Sequence, residues 1–274
     1  MKNVVFMIMA SFLTKCIFGQ QAPILHLSLV KTLTTKANDF TTDNLGNIYL
    51  LTPTNQVKKV DTKGDSIAVY NDVKRYGKIF SIDATNPLKI LVYYKDFSTI
   101  IILDRLLNVR AAIDLRKQDI LQARAIATSY DNNIWVFDEM DSKIKKIDDS
   151  GRVLFESTDF RQIFDSVPAP VSIYDRDGQL YLYDPTKGLF VFDYYGAKKN
   201  ILQLLHLNDL QVIDKNTITA RDSTQIFLYK PASLQLLTYK AFEDQSAFKK
   251  INFKGDLLYC LNEDDELKIF SVVK

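Results

Sequence analysis

The sequence predicts an all-β fold, a six-bladed β-propeller of four-stranded antiparallel blades, and three observations lead there. Short β-branched and aromatic segments recur along the 274-residue chain, with Asn, Asp and Gly turns every ~8 to 12 residues. One four-segment pattern, clearest over residues 124–160, repeats at about the 40 to 46 residues of a propeller blade. The two ends also complement each other. The last copy stops after its third strand, and residues 24–33, ILHLSLVKTL, form a strand-like segment with no local partner.

Taken in order, the chain begins with a basic start, Met1-Lys2-Asn3, and an apolar run over residues 4–13 that Lys15 interrupts. That run is too short to span a bilayer and reads as a secretory signal over 1–19, with Gly19 as the small residue before the cut and Gln20 as the first mature residue. A lipid anchor on Cys16 is disfavoured because Lys15 stands where a small residue is needed. Residues 20–274 then form one propeller domain.

The second strand of each unit is a near-continuous apolar run, beginning at Ile48, Ile90, Ile134, Leu180, Ile226 and Leu258, so successive copies stand 42, 44, 46, 46 and 32 residues apart. Continuous apolar runs fit sheets covered on both faces, as neighbouring blades cover one another. Tyr49, Leu91, Trp135, Tyr181, Phe227 and Tyr259 make a column expected to pack between blades. Third strands follow, and three of them end in one turn, Asp61-x-x-Gly64, Asp148-x-x-Gly151 and Asp193-x-x-Gly196. The Asp side chain caps such a turn and the Gly accepts positive φ. The short interval of 32 predicts a fifth blade with a truncated outer edge. The unpaired segment 24–33 should supply the missing outer strand of the sixth, closing the ring without an exposed edge.

Asp43-Asn44-Leu45-Gly46-Asn47-Ile48-Tyr49-Leu50 resembles the D-x-x-G-N-I-Y-V core of NHL-type propeller repeats, and residues 131–138 are similar without the glycine. The resemblance covers two blades well and the others by pattern, and implies an NHL-like six-bladed propeller of the exported bacterial type. The Gly-His and Trp-Asp pairs of WD40 blades and the Gly-Gly pair of kelch blades do not occur.

Chemistry is sparse. His26, His206 and Cys260 are the only zinc-type nitrogen or sulfur donors after residue 19, and none stands at ligand spacing, so neither a metal nor another cofactor is expected. NHL-like lyases that use a metal in the channel are excluded on the same ground. There is no G-x-S-x-G, no phosphate loop and no H-E-x-x-H, so a catalytic role is not expected. Asp175-Arg176-Asp177-Gly178 reads as a β-turn rather than a calcium loop, and residues 262–266 read as a solvated acidic tip. Without Lys2 and Lys15 the basic count falls from 35 to 33, equal to the 33 acids, which argues against nucleic acid as a partner. Cys260 is then alone and cannot form an internal disulfide.

The long connections all fall on the face that also carries the loop between strands two and three. Residues 71–78, 114–124, 159–170 and 206–210 lie there with the tips at Lys95, Asp138, Glu139 and Asp184. Long loops on a rigid ring are natural recognition elements. Tyr76, Arg116, Lys117, Arg124, Asp138, Glu139, Arg161 and Asp184 are the candidate partner-binding residues, and their mixed character suits a protein. The expectation is a non-catalytic exported scaffold, monomeric outside its complex and without an integral membrane segment once the signal is cut. It would reside in the periplasm or at the cell surface, and an accessory or plug subunit of an outer-membrane secretion assembly is its most specific form. The alternative is a carbohydrate-binding or glycan-processing propeller, which requires converging polar groups and a pocket of roughly 300 to 1,000 Å³ on the ring axis.

Overall fold

The structure, a computed structural model, describes residues 23–240 and 248–272. The signal segment and Cys16 lie outside the described residues.

Six four-stranded antiparallel sheets follow one another along the chain. The described chain opens with β1 (Leu27–Leu33). Blade one holds β2 (Asp39–Thr42), β3 (Ile48–Leu51), β4 (Val57–Val60) and β5 (Ser66–Tyr70). Blade two holds β6 (Ser81–Asn86), β7 (Lys89–Tyr94), β8 (Thr99–Leu103) and β9 (Val109–Asp114). Blade three holds β10 (Ala123–Thr128), β11 (Ile134–Asp138), β12 (Lys143–Ile147) and β13 (Val153–Glu156). Blade four holds β14 (Ser172–Arg176), β15 (Gln179–Asp184), β16 (Gly188–Asp193) and β17 (Lys198–Leu202). Blade five holds β18 (Asn208–Asp214), β19 (Thr217–Arg221), β20 (Gln225–Lys230) and β21 (Gln235–Lys240). Blade six holds β22 (Phe248–Lys254), β23 (Leu257–Asn262) and β24 (Leu267–Val272), completed by β1.

The ring closes at its centre. Each blade's first strand touches the first strands of both neighbours, running from β2 through β6, β10, β14, β18 and β22 back to β2. It also closes at its edge. β1 pairs antiparallel with β24 from Leu27 opposite Val272 to Leu33 opposite Leu267, so the sixth blade acquires its outer strand as the sequence predicts. The preceding residues lace a second blade, because Ile24 bridges to Lys240 at the end of β21.

Burial follows from the layering. β7 and β8 are buried at every position because blades lie on both sides of them. The core is accordingly divided into six apolar clusters, one in each seam between blades. Tyr49, Leu91, Trp135, Tyr181 and Tyr259 of the expected column all lie in such seams. The three Asp-x-x-Gly turns form as read, each glycine N–H donating to the Asp carbonyl at 2.9 to 3.1 Å with φ of 80 to 90°.

Blade five departs from the sequence reading in register. The run beginning at Ile226 is its third strand, the second being β19, and its outer edge is a full strand, β21, rather than a truncated one. Its second-strand apolar residue is Ile218, which replaces the uneven spacings of 46 and 32 by 38 and 40. Thr219, not Phe227, therefore takes the column position. The slip has a physical cause. β19 is Thr-Ile-Thr-Ala-Arg, with too little apolar bulk to stand out beside Ile-Phe-Leu-Tyr in β20.

Candidate functional site

Two surfaces can hold a ligand, the face of long connections and the central channel. Strand order puts every connection to the next blade, and every loop between second and third strands, on the first of these. It is built from short helical turns: α1 (Val73–Tyr76) and 3-10 turns at Leu115–Gln118 and Phe160–Gln162. The Asp114 and Asp159 side chains start the latter two, accepting from the backbone N–H of Arg116 and Arg161.

The predicted partner-binding residues divide by burial. Arg116 and Arg161 are exposed, but each guanidinium forks onto the carboxylate two residues earlier, at 2.9 and 3.0 Å for Arg116 on Asp114 and 2.7 and 2.9 Å for Arg161 on Asp159. Lys117 is exposed beside them. Glu139 accepts from Arg124 at 2.6 Å and from Gln122 at 2.7 Å. Asp138 is fully buried and accepts from Lys145 at 2.8 Å, and Lys145 also reaches Asp141 at 2.6 Å. Asp184 is buried too, accepting from the N–H groups of Ala169 and Thr186, both at 2.8 Å. Tyr76 is buried against Tyr94, with ring centroids 5.2 Å apart. Arg124, Asp138, Glu139 and Arg161 thus gather around the loop between β11 and β12, Arg124 pairing with Glu139 while Asp138 and Arg161 are linked through Lys145 and Asp141, whose carbonyl accepts from Arg161. Asp138, Asp184 and Tyr76 brace that face from within. Its exposed recognition surface includes apolar residues the sequence reading did not single out: Phe80, Phe97, Leu121, Met140, Val171 and Leu205.

The channel is the second surface. The inner strands leave a cavity of about 420 Å³, within the range expected for a small-molecule site. Five charged residues line it: Asp83, Arg176, Asp209, Lys250 and Lys254. Asp83 is occupied, its two oxygens accepting from the N–H groups of Thr85 at 2.7 Å and Thr128 of the next blade at 2.6 Å. Asp209 is occupied as well, accepting from Arg221 at 2.5 Å and from the Ile251 N–H of the next blade at 2.8 Å. Lys250 pairs with Asp39 at 2.6 Å. Arg176 and Lys254 have no ion-pair partner among the described residues, and Arg176 donates only to its neighbour, the Asp175 carbonyl, at 2.7 Å. Burial and the Arg176 charge both push the Lys254 ammonium down from its ordinary pKa, against an opposing pull from Asp43.

The two histidines are exposed at separate places, and among the described residues no group of three or more His, Cys, Asp or Glu side chains is placed to hold a metal ion. The sequence shows Arg176 only as part of a turn and Lys254 as a strand end. The signal that could have found them is position, since both close a first strand just before the first hairpin turn of their blades. Their meeting across the intervening blade five is a property of the ring.

No protein-family profile matches the chain, and no curated protein does. Solved structures match in fold. Virginiamycin B lyase from Staphylococcus aureus superposes with a TM-score of 0.65 at 11% identity, over 90% of this chain and 100% of the other. The Pan2 WD40 domain of Neurospora crassa gives 0.61 at 10% identity, over 88% and 90%. A chain of the Mitotic Checkpoint Complex gives 0.60 at 10% identity, over 100% and 99%. The propeller is thus shown by both topology and comparison, whereas the NHL likeness rests on the sequence of two blades.

Proposed function

We propose that this propeller is a non-catalytic scaffold that docks a protein partner through the face of long connections. The observation that carries the reading is the row of exposed large apolar side chains from Phe80 to Leu205 on successive connections and loops of blades two to five, beside the Arg124, Glu139 and Arg161 cluster. Exposed apolar groups interleaved with charge are the composition of a protein interface. Fold neighbours that work within assemblies, such as the chain from the Mitotic Checkpoint Complex, support the same use of the fold by analogy. Among the described residues no helix is long and apolar enough to cross a membrane. Export under the residue 1–19 signal, and service as an accessory or plug subunit of an outer-membrane secretion assembly, complete the proposal.

The test is site-specific photo-crosslinking in the native cell. Probes at Leu121 and Val171 should give one discrete adduct, while probes at Leu45 and Tyr195, on hairpin turns of the opposite face, should give none. Equal adducts from both faces, or none from either, would sink the docking reading. Mass analysis of the mature chain tests export, with Gln20 first if the signal is cut and an acylated Cys16 if the chain is instead lipid-anchored.

The second reading, a carbohydrate ligand in the channel, is favoured by the size and polar lining of the axial cavity. A glycan-processing role draws no support there. Both lining carboxylates are engaged in holding blades together, and general acid and base groups need to be free for substrate.

A further inference from the structure

Donors and acceptors in the channel are unequally committed. The acceptors are largely used. Asp83 and Asp209 take backbone N–H groups of the next blade, and the amide oxygens of Gln211 and Asn252 take the Phe253 N–H at 2.7 Å and the Thr42 hydroxyl at 3.2 Å. Those bonds fix the orientation of both amides, so the NH2 group of each remains without a partner among the described residues, as does the Lys254 ammonium. Arg176 keeps all but one of its N–H donors. Asp43, whose charge acts on Lys254, accepts from the N–H groups of Leu45 and Asn47, the Asn47 amide and the Tyr49 hydroxyl at 2.7 to 3.0 Å. Two cations without an ion-pair partner among the described residues and two oriented amide donors therefore line one cavity, brought together from blades four, five and six.

We infer that the channel binds a small acidic sugar, its carboxylate or phosphate held by Arg176 and Lys254 and its hydroxyls by Gln211 and Asn252. An anion supplies the charge the site lacks, and charge-assisted bonds to a guanidinium and an ammonium are the strong class of hydrogen bond. Hydroxyls suit the amides, which offer donors at fixed positions. The apolar walls from Ile126, Ile213 and Phe253 suit the C–H faces of a sugar ring. This deepens the channel reading and rests on it; Arg176 and Lys254 stand at the ends of β14 and β22 away from the docking face, although Phe80 and Val171 of that face line the other end of the cavity.

The experiment is calorimetric titration of the full mature chain with D-glucuronate, glucose 6-phosphate and glucose. At least one of the two anions should bind, with glucose weaker by about 10-fold or more, and which one binds separates carboxylate from phosphate. Arg176→Gln and Lys254→Gln should each weaken that anion by about 10- to 100-fold. Lys143→Gln, whose ammonium pairs with Glu156 on the outer strand of blade three and away from the cavity, should leave it within about twofold. Binding of glucose as tightly as the anions would overturn the anion assignment and keep a neutral-sugar channel. Absence of binding by all three would overturn both. Should either glutamine variant fail to fold, weakening of the wild-type titration by raised salt reads the same cations, and salt-insensitive binding would also overturn the proposal.

Discussion

The seam between blades three and four and the seam between blades five and six are built from the same strand positions and packed very differently. In the first, Trp135, Phe137, Phe160 and Phe192 are all but fully buried, with the Phe160 and Phe192 rings stacked 5.1 Å apart. Asp175 of blade four ties it by accepting from Trp135 Nε1 at 2.8 Å and Ser129 Oγ at 3.0 Å of blade three. In the second seam the buried apolar residues, among the described ones, are Ile226, Ile251, Leu258 and Cys260. Where the other blades place Tyr, Trp or Leu, blade five places Thr219, whose buried hydroxyl has no partner among the described residues. Polar bridges take over instead: Asp209 to the Ile251 N–H, Gln211 to the Phe253 N–H, and Arg221 to the Lys249 carbonyl. A closed ring tolerates one thin seam, because β1 pairs with β24 and residue 24 bridges to Lys240 across it.

The comparison breaks most visibly under truncation. Trp135→Ala should cost about 3 to 5 kcal/mol in equilibrium denaturation, whereas Ile226→Ala should cost about 2 kcal/mol. Equal losses would show the seams to be energetically alike. Thr219→Val, which removes an unpaired buried hydroxyl at nearly constant volume, should raise stability by about 1 kcal/mol. A loss of stability there would mean that the hydroxyl is in fact satisfied.

A probe of each seam sharpens the contrast without changing the packing. Trp135 is the sole tryptophan, and Cys260 is the only cysteine after residue 19. Burial pushes the Cys260 thiol well above its ordinary pKa, so the folded seam should be inert to thiol reagents. In rising urea, labelling of Cys260 should begin before Trp135 fluorescence changes, since the thinner seam opens first. Coincident transitions would make the ring one cooperative unit.

The smallest effect is expected at Asp131, beside the tight seam. Its burial favours the neutral acid, but hydrogen bonds from the Lys146 ammonium and from Asn133 outweigh this and hold it at about 2, below the ordinary 3.8. A carboxyl depressed in the folded state contributes stability that is full above about pH 4 and fades as the pH falls towards about 2. Asp131→Asn should remove that part of the acid sensitivity, by about 1 kcal/mol or less because the pair is partly exposed and screened. An unchanged acid profile in the variant would show that Asp131 contributes none of it.

The repeat, the six blades, the Asp-x-x-Gly turns and the closure by β1 were all legible in the sequence, because each depends on local pattern. Continuous apolar runs, turn residues and one unpaired strand are properties of neighbours in the chain. Blade five was misregistered where its second strand is small and polar, since apolar bulk was the only signal for that strand. Charge and loop position also pointed to the face of long connections, but not to which of its residues are buried. Asp138 and Asp184 look like solvated tips in the chain and are buried acceptors in the fold. The channel was decided by tertiary structure alone. Arg176, Gln211 and Lys254 stand in three different blades, and only ring closure sets their donors around one cavity while neighbouring blades take up the carboxylates that could have neutralised them.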